Sequence, residues 1–407
     1  MHTRTAEAAF TRTDPSDAGF SAPRLALIRA ALERDIAAGL LPGAVVGIGR
    51  RGRIAYLEAI GQRDPASGQP MWADAVFSIA SMTKPMTSVA IMMLAEEGRL
   101  LLGDPASKFL PQMANMKVAK SPTADTLETV PAEREMTVQD LLRHTSGLTN
   151  GNRGTSPAYR AYPESGGTAA SRLSREEFLE TIGKVPLLYQ PGTAWEYGFS
   201  TDVLGHIVEA VSGQSLGAFL KARLWEPLGM ADTSFTLSRA AEGRYARALA
   251  KCPLTGQAQF VLHASGQPQK WESGGGGAVS TAADYLRFVE MLRAGGTFAG
   301  TRILGRKTID LMRADHLGPE IQNRITTMDP AFNGYGFGLG FAVRKTAGVA
   351  AAYGTAGDYY WSGVYGTYFW IDPAEELSVV FMAAAPGQIR LRYRQLLRAL
   401  VLQAMVD

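Results

Sequence analysis

Cysteine is nearly absent from this chain, since Cys252 is the only one among 407 residues. A single cysteine excludes an internal disulfide and fits a reducing compartment, so we predict a cytoplasmic protein. Residues 1–14 contain neither an apolar segment nor a small-residue cleavage site, which predicts no secretory signal. The five histidines are scattered without the spacing of metal ligands, so we expect no metal, no cofactor and no zinc hydrolase.

An excess of one charge and long apolar runs are also lacking. The 41 Lys and Arg residues nearly balance the 38 Asp and Glu residues, and the net charge of +3 gives no reason to expect nucleic-acid binding. No stretch approaches the roughly 20 apolar residues of a membrane-spanning helix, so no membrane association is expected. The basic run at 389–394 alternates with apolar residues, and we interpret it as the solvated face of a C-terminal helix over about 387–405.

The residues that are present describe a globular, enzyme-like protein, with 46% hydrophobic and 19% charged residues. Strand-like runs lie near both ends of the chain, and helical patterns occupy the middle. The strand-like runs are 44–49, 54–61, 336–344, 363–371 and 377–384, and the helical patterns are 84–100, 137–144, 175–183, 200–212 and 216–225. A leading helix is predicted over about 22–38, and the turn at 50–53 predicts a hairpin between the first two strands.

We therefore predict an α+β fold in which a five-stranded antiparallel sheet is flanked by terminal helices. Residues 1–80 and 273–407 would form this sheet domain, and residues 81–272 an inserted, mostly α-helical domain. The active site is expected in the cleft between the two.

The most informative motif is Ser81-Met82-Thr83-Lys84, which lies between a strand-like segment and a helical one. A serine and a lysine three positions apart at the start of a helix share one face, one turn apart. An amine in that position can accept the hydroxyl proton, and the helix N-terminus favours negative charge on an oxyanion. This spacing predicts that Ser81 is a nucleophile and Lys84 its base.

Two further segments can complete an active site. Tyr197 follows a Pro-Gly turn and precedes a helix, so its phenol can point into a cleft and shuttle a proton. Trp361-Ser362-Gly363 is expected to open a strand, where Gly363 would let a substrate lie close to the backbone. A main-chain N–H just beyond this glycine could join that of Ser81 in an oxyanion hole.

Four segments, in order along the chain, resemble the serine β-lactamase and penicillin-binding protein superfamily. They are 77–84, 141–148, 191–197, and 274–277 followed by 279–284. Within that superfamily the chain is similar to the class C β-lactamase-like esterases, or family VIII carboxylesterases, over about 41–384. The resemblance implies a bacterial enzyme with an acyl-Ser81 intermediate, a base shared by Lys84 and Tyr197, and an oxyanion hole built by the backbone N–H groups of Ser81 and Val364.

Two departures from the family pattern favour esters over β-lactams. Where the lactamases and peptidases carry Lys-Thr-Gly, this chain has Trp361-Ser362-Gly363, and a neutral indole replaces the cation that holds a substrate carboxylate. Tyr197-Gly198-Phe199 also lacks the asparagine found two residues after the family tyrosine. We therefore expect a small-molecule ester with a short to medium acyl chain, contacted by Trp361, Ser362 and Gly363.

Other functions remain open. Gly213-Gln214-Ser215-Leu216-Gly217 matches the nucleophile elbow of α/β-hydrolases, but a helical pattern precedes Ser215 where that elbow needs a strand. Only His263 and His316 follow it, in polar loops. An acyltransferase, a weak β-lactamase or D-amino-acid peptidase, and a non-catalytic binding protein are the further alternatives.

Overall fold

The computed structural model describes residues 10–259, 261–262 and 269–407, and His263 lies outside these ranges. The α-helices in this part of the chain are α1 (Ala22–Ala37), α2 (Thr83–Glu96), α3 (Val138–Leu142), α4 (Pro157–Arg160), α5 (Gly166–Arg172), α6 (Arg175–Lys184), α7 (Ser200–Ser212), α8 (Leu216–Leu220), α9 (Glu226–Leu228), α10 (Arg239–Glu242), α11 (Ala282–Arg293), α12 (Arg306–Met312) and α13 (Ile389–Leu402). A π-helical turn, Lys221–Trp225, joins α8 to α9.

The strands described are β1 (Gly43–Arg50), β2 (Arg53–Asp64), β3 (Gln69–Pro70), β4 (Phe77–Ser78), β5 (Lys117–Ala119), β6 (Thr129–Pro131), β7 (Val279–Ser280), β8 (Thr297–Phe298), β9 (Thr301–Arg302), β10 (Tyr335–Phe337), β11 (Ala342–Arg344), β12 (Tyr359–Ser362), β13 (Tyr368–Asp372) and β14 (Leu377–Ala383). Three pairs form small two-stranded sheets: β4 with β7, β5 with β6, and β8 with β9.

The remaining strands form one antiparallel sheet in the order β10-β11-β12-β13-β14-β1-β2-β3. The predicted α+β class is confirmed, but the sheet has eight strands instead of the five expected. The segment expected to be one strand at 336–344 is two strands, because Gly340 takes a positive φ of 104° and turns the chain between them. A further strand, β12, precedes the expected strand at 363–371, and β3 adds a short edge.

Helices cover both faces of this sheet at its centre. Phe369 of β13 contacts Tyr285 of α11 with ring centroids 5.4 Å apart. Phe381 of β14 lies opposite Tyr368 in the register and contacts Tyr393 of α13 at 5.7 Å. Because neighbouring residues of a strand point to opposite faces, α11 and α13 lie on opposite sides of the sheet. β1 and β14 are buried along their whole lengths, as this layering requires.

The predicted hairpin between the first two strands is confirmed, and its turn shows why. Arg50 pairs with Arg53, and the two residues between them, Arg51 and Gly52, have φ of 51° and 75°. Two positive φ angles define the turn that matches the twist of a tight hairpin.

The interpretation of the C-terminal helix as having a solvated basic face is wrong in part. Arg394 and Arg398 of α13 are buried, with 6% and 0% of their surface exposed. Each pairs with a buried carboxylate, Arg394 with Asp329 at 3.3 Å and Arg398 with Asp358 at 3.0 Å. Burial of these side chains is tolerated because the opposite charge is present in the loops that α13 covers.

One hydrophobic core runs through the sheet and the helices of the middle region. The division into a sheet domain, 1–80 with 273–407, and a helical domain, 81–272, therefore stays a proposal about organisation.

Candidate active site

Ser81 lies at the point where the short strand β4 passes into helix α2. A 3₁₀ turn, Ala80–Met82, leads directly into α2, so that the Ser81 N–H belongs to the first turn, where amides have no carbonyl acceptor within the helix. Ala80 has a φ of 45°, an uncommon conformation for a residue with a side chain. A strained residue of this kind persists only where the surrounding packing enforces it, and such residues cluster at functional sites.

Lys84 and Tyr197 converge on the Ser81 hydroxyl. The Tyr197 hydroxyl donates to Ser81 Oγ at 2.7 Å, and Lys84 Nζ lies 3.5 Å from the same oxygen. Lys84 Nζ also lies 4.6 Å from the centroid of the Tyr197 ring. The structure therefore brings together the three residues that the sequence predicted as catalytic, although they come from α2 and from a loop more than 100 residues away.

The Gly275 carbonyl, in the run of four glycines at 274–277, holds the Lys84 side chain in place. Lys84 is buried, and its Nζ donates to the Gly275 carbonyl at 2.6 Å. The Asp202 carboxylate in turn accepts hydrogen bonds from the Gly275 N–H at 3.1 Å and from the Ser273 hydroxyl. A Cβ at position 275 would collide with this carboxylate, which explains the need for glycine there.

Asp202 is a residue that the sequence reasoning missed. It lies in the first turn of α7, five residues after Tyr197, and is almost completely buried. Burial raises the pKa of the Asp202 carboxyl, while the Lys84 cation and the hydrogen bond from Ser273 oppose that rise. An acid on the buried side of an apolar helix, directly after the candidate tyrosine, was the available signal.

Aromatic rings hold Tyr197 in place. Its ring lies 4.9 Å from that of His144, 5.4 Å from that of Trp361 and 6.1 Å from that of Trp195, centroid to centroid. Complete burial lowers the pKa of His144 well below its usual value, and the charge of Lys84 acts in the same direction. His144 therefore packs as a neutral ring against the tyrosine.

The turn after β12 carries Gly363 and Val364, the residues predicted to complete an oxyanion hole with Ser81. β12 ends at Ser362, so the prediction that Gly363 opens a strand is wrong, and Gly363 instead begins a turn. The turn is tied to the segment before the serine, because Thr367 Oγ1 donates to the Ile79 carbonyl at 3.1 Å. A Cβ on Gly363 would collide with both of these groups, so only glycine permits the close approach.

Val364 follows in that turn, and it lines the same cleft as Ser81. In the part of the chain that the structure describes, the Val364 N–H donates to no protein acceptor. The amides of Ser81 and Val364 thus lie on two segments that are tied together, and their role as an oxyanion hole stays a prediction.

The cleft around Ser81 has a volume of about 220 Å³. Trp361 and Ser362 lie in one wall, and the indole is buried against the Tyr197 and Phe337 rings. Arginines that the sequence reasoning did not select line other parts of the cleft: Arg153, Arg390 and Arg394. Arg390 and Arg394 are four residues apart and therefore share a face of α13, and this spacing was the available signal that both point in the same direction.

Ser215, the nucleophile of the α/β-hydrolase alternative, does not line this cleft. Ser215 is the N-cap of α8, and its hydroxyl accepts from the Ala218 N–H at 3.2 Å. Gly213, with a φ of 74°, ends the preceding helix α7. The segment is thus two helix caps instead of a strand-to-helix elbow.

Within the described residues, no three His, Cys, Asp or Glu side chains are grouped as metal ligands would be. None of the described helices alone has the length and apolarity to cross a membrane, although α7 and Leu216–Leu228, bent by 78°, would meet those two criteria as a pair.

Several known proteins are similar to this chain over most of its length. Protein Rv1367c of Mycobacterium tuberculosis (strain ATCC 25618 / H37Rv) is 35% identical over 352 residues, covering 85% of this chain and 86% of the relative. Esterase EstB of Burkholderia gladioli is 32% identical over 388 residues, covering 91% and 93%. The solved structure of "EstCE1, a hydrolase with promiscuous acyltransferase activity" matches with a TM-score of 0.75 at 27% identity, covering 93% and 98%. The resemblance seen in the sequence is confirmed: the family model named Beta-lactamase matches residues 28–403, and the chain belongs to that family.

Proposed function

We propose that this protein is a carboxylesterase that cleaves small-molecule esters with short to medium acyl chains through an acyl-Ser81 intermediate. The observation that carries the proposal is the convergence of the Tyr197 hydroxyl, at 2.7 Å, and Lys84 Nζ, at 3.5 Å, on Ser81 Oγ. A nucleophile and a base within hydrogen-bond reach are the minimum for acyl transfer. The name of the relative EstB supports an ester as the substrate.

In the acylation step, Ser81 Oγ attacks the ester carbonyl carbon while its proton passes to the Lys84 amine. The tetrahedral oxyanion lies between the N–H groups of Ser81 and Val364. When the carbon–oxygen bond to the alcohol breaks, Tyr197 delivers a proton to the departing oxygen and recovers one from Lys84. Water then attacks the acyl group by the reverse proton path, which releases the carboxylic acid and restores the Ser81 hydroxyl.

The main test compares hydrolysis of p-nitrophenyl butyrate with opening of a chromogenic cephalosporin by one purified sample. We expect fast ester cleavage with little lactam opening, because Trp361 stands where the lactamases carry a cation. Dominant lactam opening would contradict the esterase proposal and favour the β-lactamase or peptidase alternative.

Ser81→Ala should abolish ester turnover, with a loss of about 10³-fold or more, while the melting temperature stays unchanged. Ser88→Ala is the matched control, since its hydroxyl lies buried on the same helix without a partner among the described residues. Retention of most of the rate by Ser81→Ala would show that another residue is the nucleophile.

Acyl transfer to an alcohol or amine is the second candidate, and the similarity to EstCE1, a hydrolase with promiscuous acyltransferase activity, favours it. Product analysis with an added alcohol separates the two: a new ester at the expense of free acid would identify a transferase. A non-catalytic binding protein would show neither product.

The cytoplasmic location belongs to the proposal as well, and it rests on the single cysteine. Fractionation of the host cells, with detection of the protein in each fraction, tests it.

A further inference from the structure

More of the charged side chains that line the cleft are cationic than acidic. Four are cationic and two are acidic: Lys84, Arg153, Arg390 and Arg394 against Asp202 and Asp329. A cleft with walls of low dielectric concentrates the field of such an excess and attracts anions.

The nearby acids are already engaged. Asp329 pairs with Arg394 at 3.3 Å. Glu196, just behind the cleft, is shared between Arg153 at 3.3 Å and Arg324 at 2.9 Å. Burial raises the pKa of Asp202, which weakens it further as a counter-charge. The excess of positive charge in the cleft is therefore not neutralised by the acids that line it.

Arg390 is the arginine of this cleft that has no ion pair among the described residues. Its Nη1 donates only to the Gly387 carbonyl, and its Nε is buried without an acceptor. Burial and the neighbouring charge of Arg394 together lower the pKa of Arg390 to about 10, against a smaller opposing effect of Asp329. The side chain stays charged at neutral pH, so a desolvated cation in this wall lacks an anion.

We propose that Arg390 binds a carboxylate of the ester substrate, on a part of the molecule away from the bond that is cleaved. This inference rests on the proposed esterase function, and it makes the substrate an ester that carries a second, anionic group. Guanidinium groups suit this ligand because their N–H donors match the two oxygens of a carboxylate. The Trp361 wall is neutral and aromatic, so the apolar part of the substrate is expected there and the anion at α13.

The test compares an ester that carries a free carboxylate with its masked partner, in which that carboxylate is converted to a methyl ester. On the acyl side the pair is mono-p-nitrophenyl glutarate and its methyl ester; on the alcohol side it is p-(butyryloxy)benzoate and its methyl ester. We expect the wild type to prefer one charged member in kcat/KM by about tenfold or more. The side on which the preference appears identifies which half of the substrate reaches Arg390, and added salt should reduce it.

Arg390→Gln should lower kcat/KM for the charged ester far more than for its masked partner and so remove the preference, and Arg390→Lys should keep part of it. Arg392→Gln is the matched control, because Arg392 lies on the same helix, is largely exposed and pairs outside the cleft with Asp35 at 3.0 Å. Melting temperatures of all variants check the fold.

Equal rates on charged and masked esters in the wild type would overturn the inference, as would an equal loss on both in Arg390→Gln. Hydrolysis of neither ester would instead refute the proposed function. In that case calorimetry with glutarate tests the anion site independently of catalysis. Binding to the wild type that is lost in Arg390→Gln would support the site, and no binding to the wild type would overturn it.

Discussion

Two of the buried clusters of charge among the described residues are built in opposite ways. Against the sheet, the Asp358 carboxylate accepts from Arg344 Nε at 2.7 Å, from Arg398 at 3.0 and 3.2 Å and from the Tyr335 hydroxyl at 2.9 Å. Its two arginines are at most 2% exposed. Every strong hydrogen-bonding direction of that carboxylate is used by a partner fixed in the fold.

In the cleft, by contrast, no carboxylate of the described residues is in direct contact with Lys84. Its Nζ is held by the Gly275 carbonyl and faces the Ser81 hydroxyl, and Asp202 reaches it only through Gly275. A buried amine without a carboxylate partner costs stability, and such groups are found where chemistry needs them.

The comparison teaches that burial of a charge does not by itself indicate function. The saturated cluster around Asp358 stabilises one arrangement of the sheet and α13, whereas the unsaturated cluster around Lys84 leaves a group free to exchange a proton. Variants that remove one charge from each cluster should therefore fail in different ways.

The largest effect is expected for Lys84→Met, which leaves an apolar side chain of similar length. Loss of the base should lower kcat/KM on p-nitrophenyl butyrate by about 10³-fold. The melting temperature should be kept or raised, because a buried amine without a carboxylate partner is replaced by an apolar side chain. Activity close to the wild type with an unchanged pH–rate profile would show that Lys84 is not the base.

Arg398→Met breaks the saturated cluster and should act on stability. Removing one partner leaves Asp358 with an uncompensated charge in the interior, and we expect a loss of about 3–5 kcal/mol in the free energy of unfolding. Urea denaturation measures this, and active-site titration gives the rate per folded molecule, which should stay near that of the wild type. A stable protein with an impaired rate would place Arg398 in the catalytic machinery instead.

A smaller effect is expected for Asp202→Asn. The amide oxygen can still accept from the Gly275 N–H and the Ser273 hydroxyl, so the Lys84 carbonyl partner stays in place while the charge is lost. We expect kcat on p-nitrophenyl butyrate to fall about tenfold, because the carboxylate no longer stabilises the ammonium ion that forms when Lys84 accepts the Ser81 proton. An unchanged kcat would limit Asp202 to holding residues 274–277 in place.

Local signals in the sequence predicted much of this architecture. Hydrophobic periodicity located α1, α6 and α7 to within a residue or two, since these helices carry an apolar stripe and clear end signals. The β1–β2 hairpin followed from its Arg-Gly turn. The serine, lysine and tyrosine of the site were found because their spacing and flanking turns are local, and the structure places them together.

The missed features depend on contacts between distant segments. The short strands from β10 to β13 are interrupted by glycines whose turns depend on neighbours far away in sequence, such as Ser88 beside Gly340 and Ile79 beside Gly363. Arg394 was expected on a solvated face because no local signal in the sequence indicates that Asp329 pairs with it. The position of Asp202 in the site was missed for the same reason, since its partner Gly275 is 73 residues away in the sequence.

The smallest effect concerns a third buried carboxylate, Asp284 of α11, which has neither the arginines of Asp358 nor a catalytic neighbour. Burial raises its pKa to about 6, although the Asp232 N–H and the Thr233 hydroxyl donate to it and oppose that rise. Folding therefore favours the protonated form, and this favourable contribution is complete below the unfolded value of 3.8 and is lost as the pH rises through about 6.

Asp284→Asn should consequently raise stability near neutral pH by about 1–3 kcal/mol, and the gain should vanish below about pH 4. Both hydrogen bonds reach the single oxygen Oδ2, so one amide oxygen can accept them. Asp358→Asn is the matched control and should destabilise near neutral pH, because two arginines lose their counter-charge. Denaturation curves of both variants across this pH range measure the contrast. A destabilised Asp284→Asn at neutral pH would mean that its charge is compensated after all, and that the two carboxylates differ less than their partners indicate.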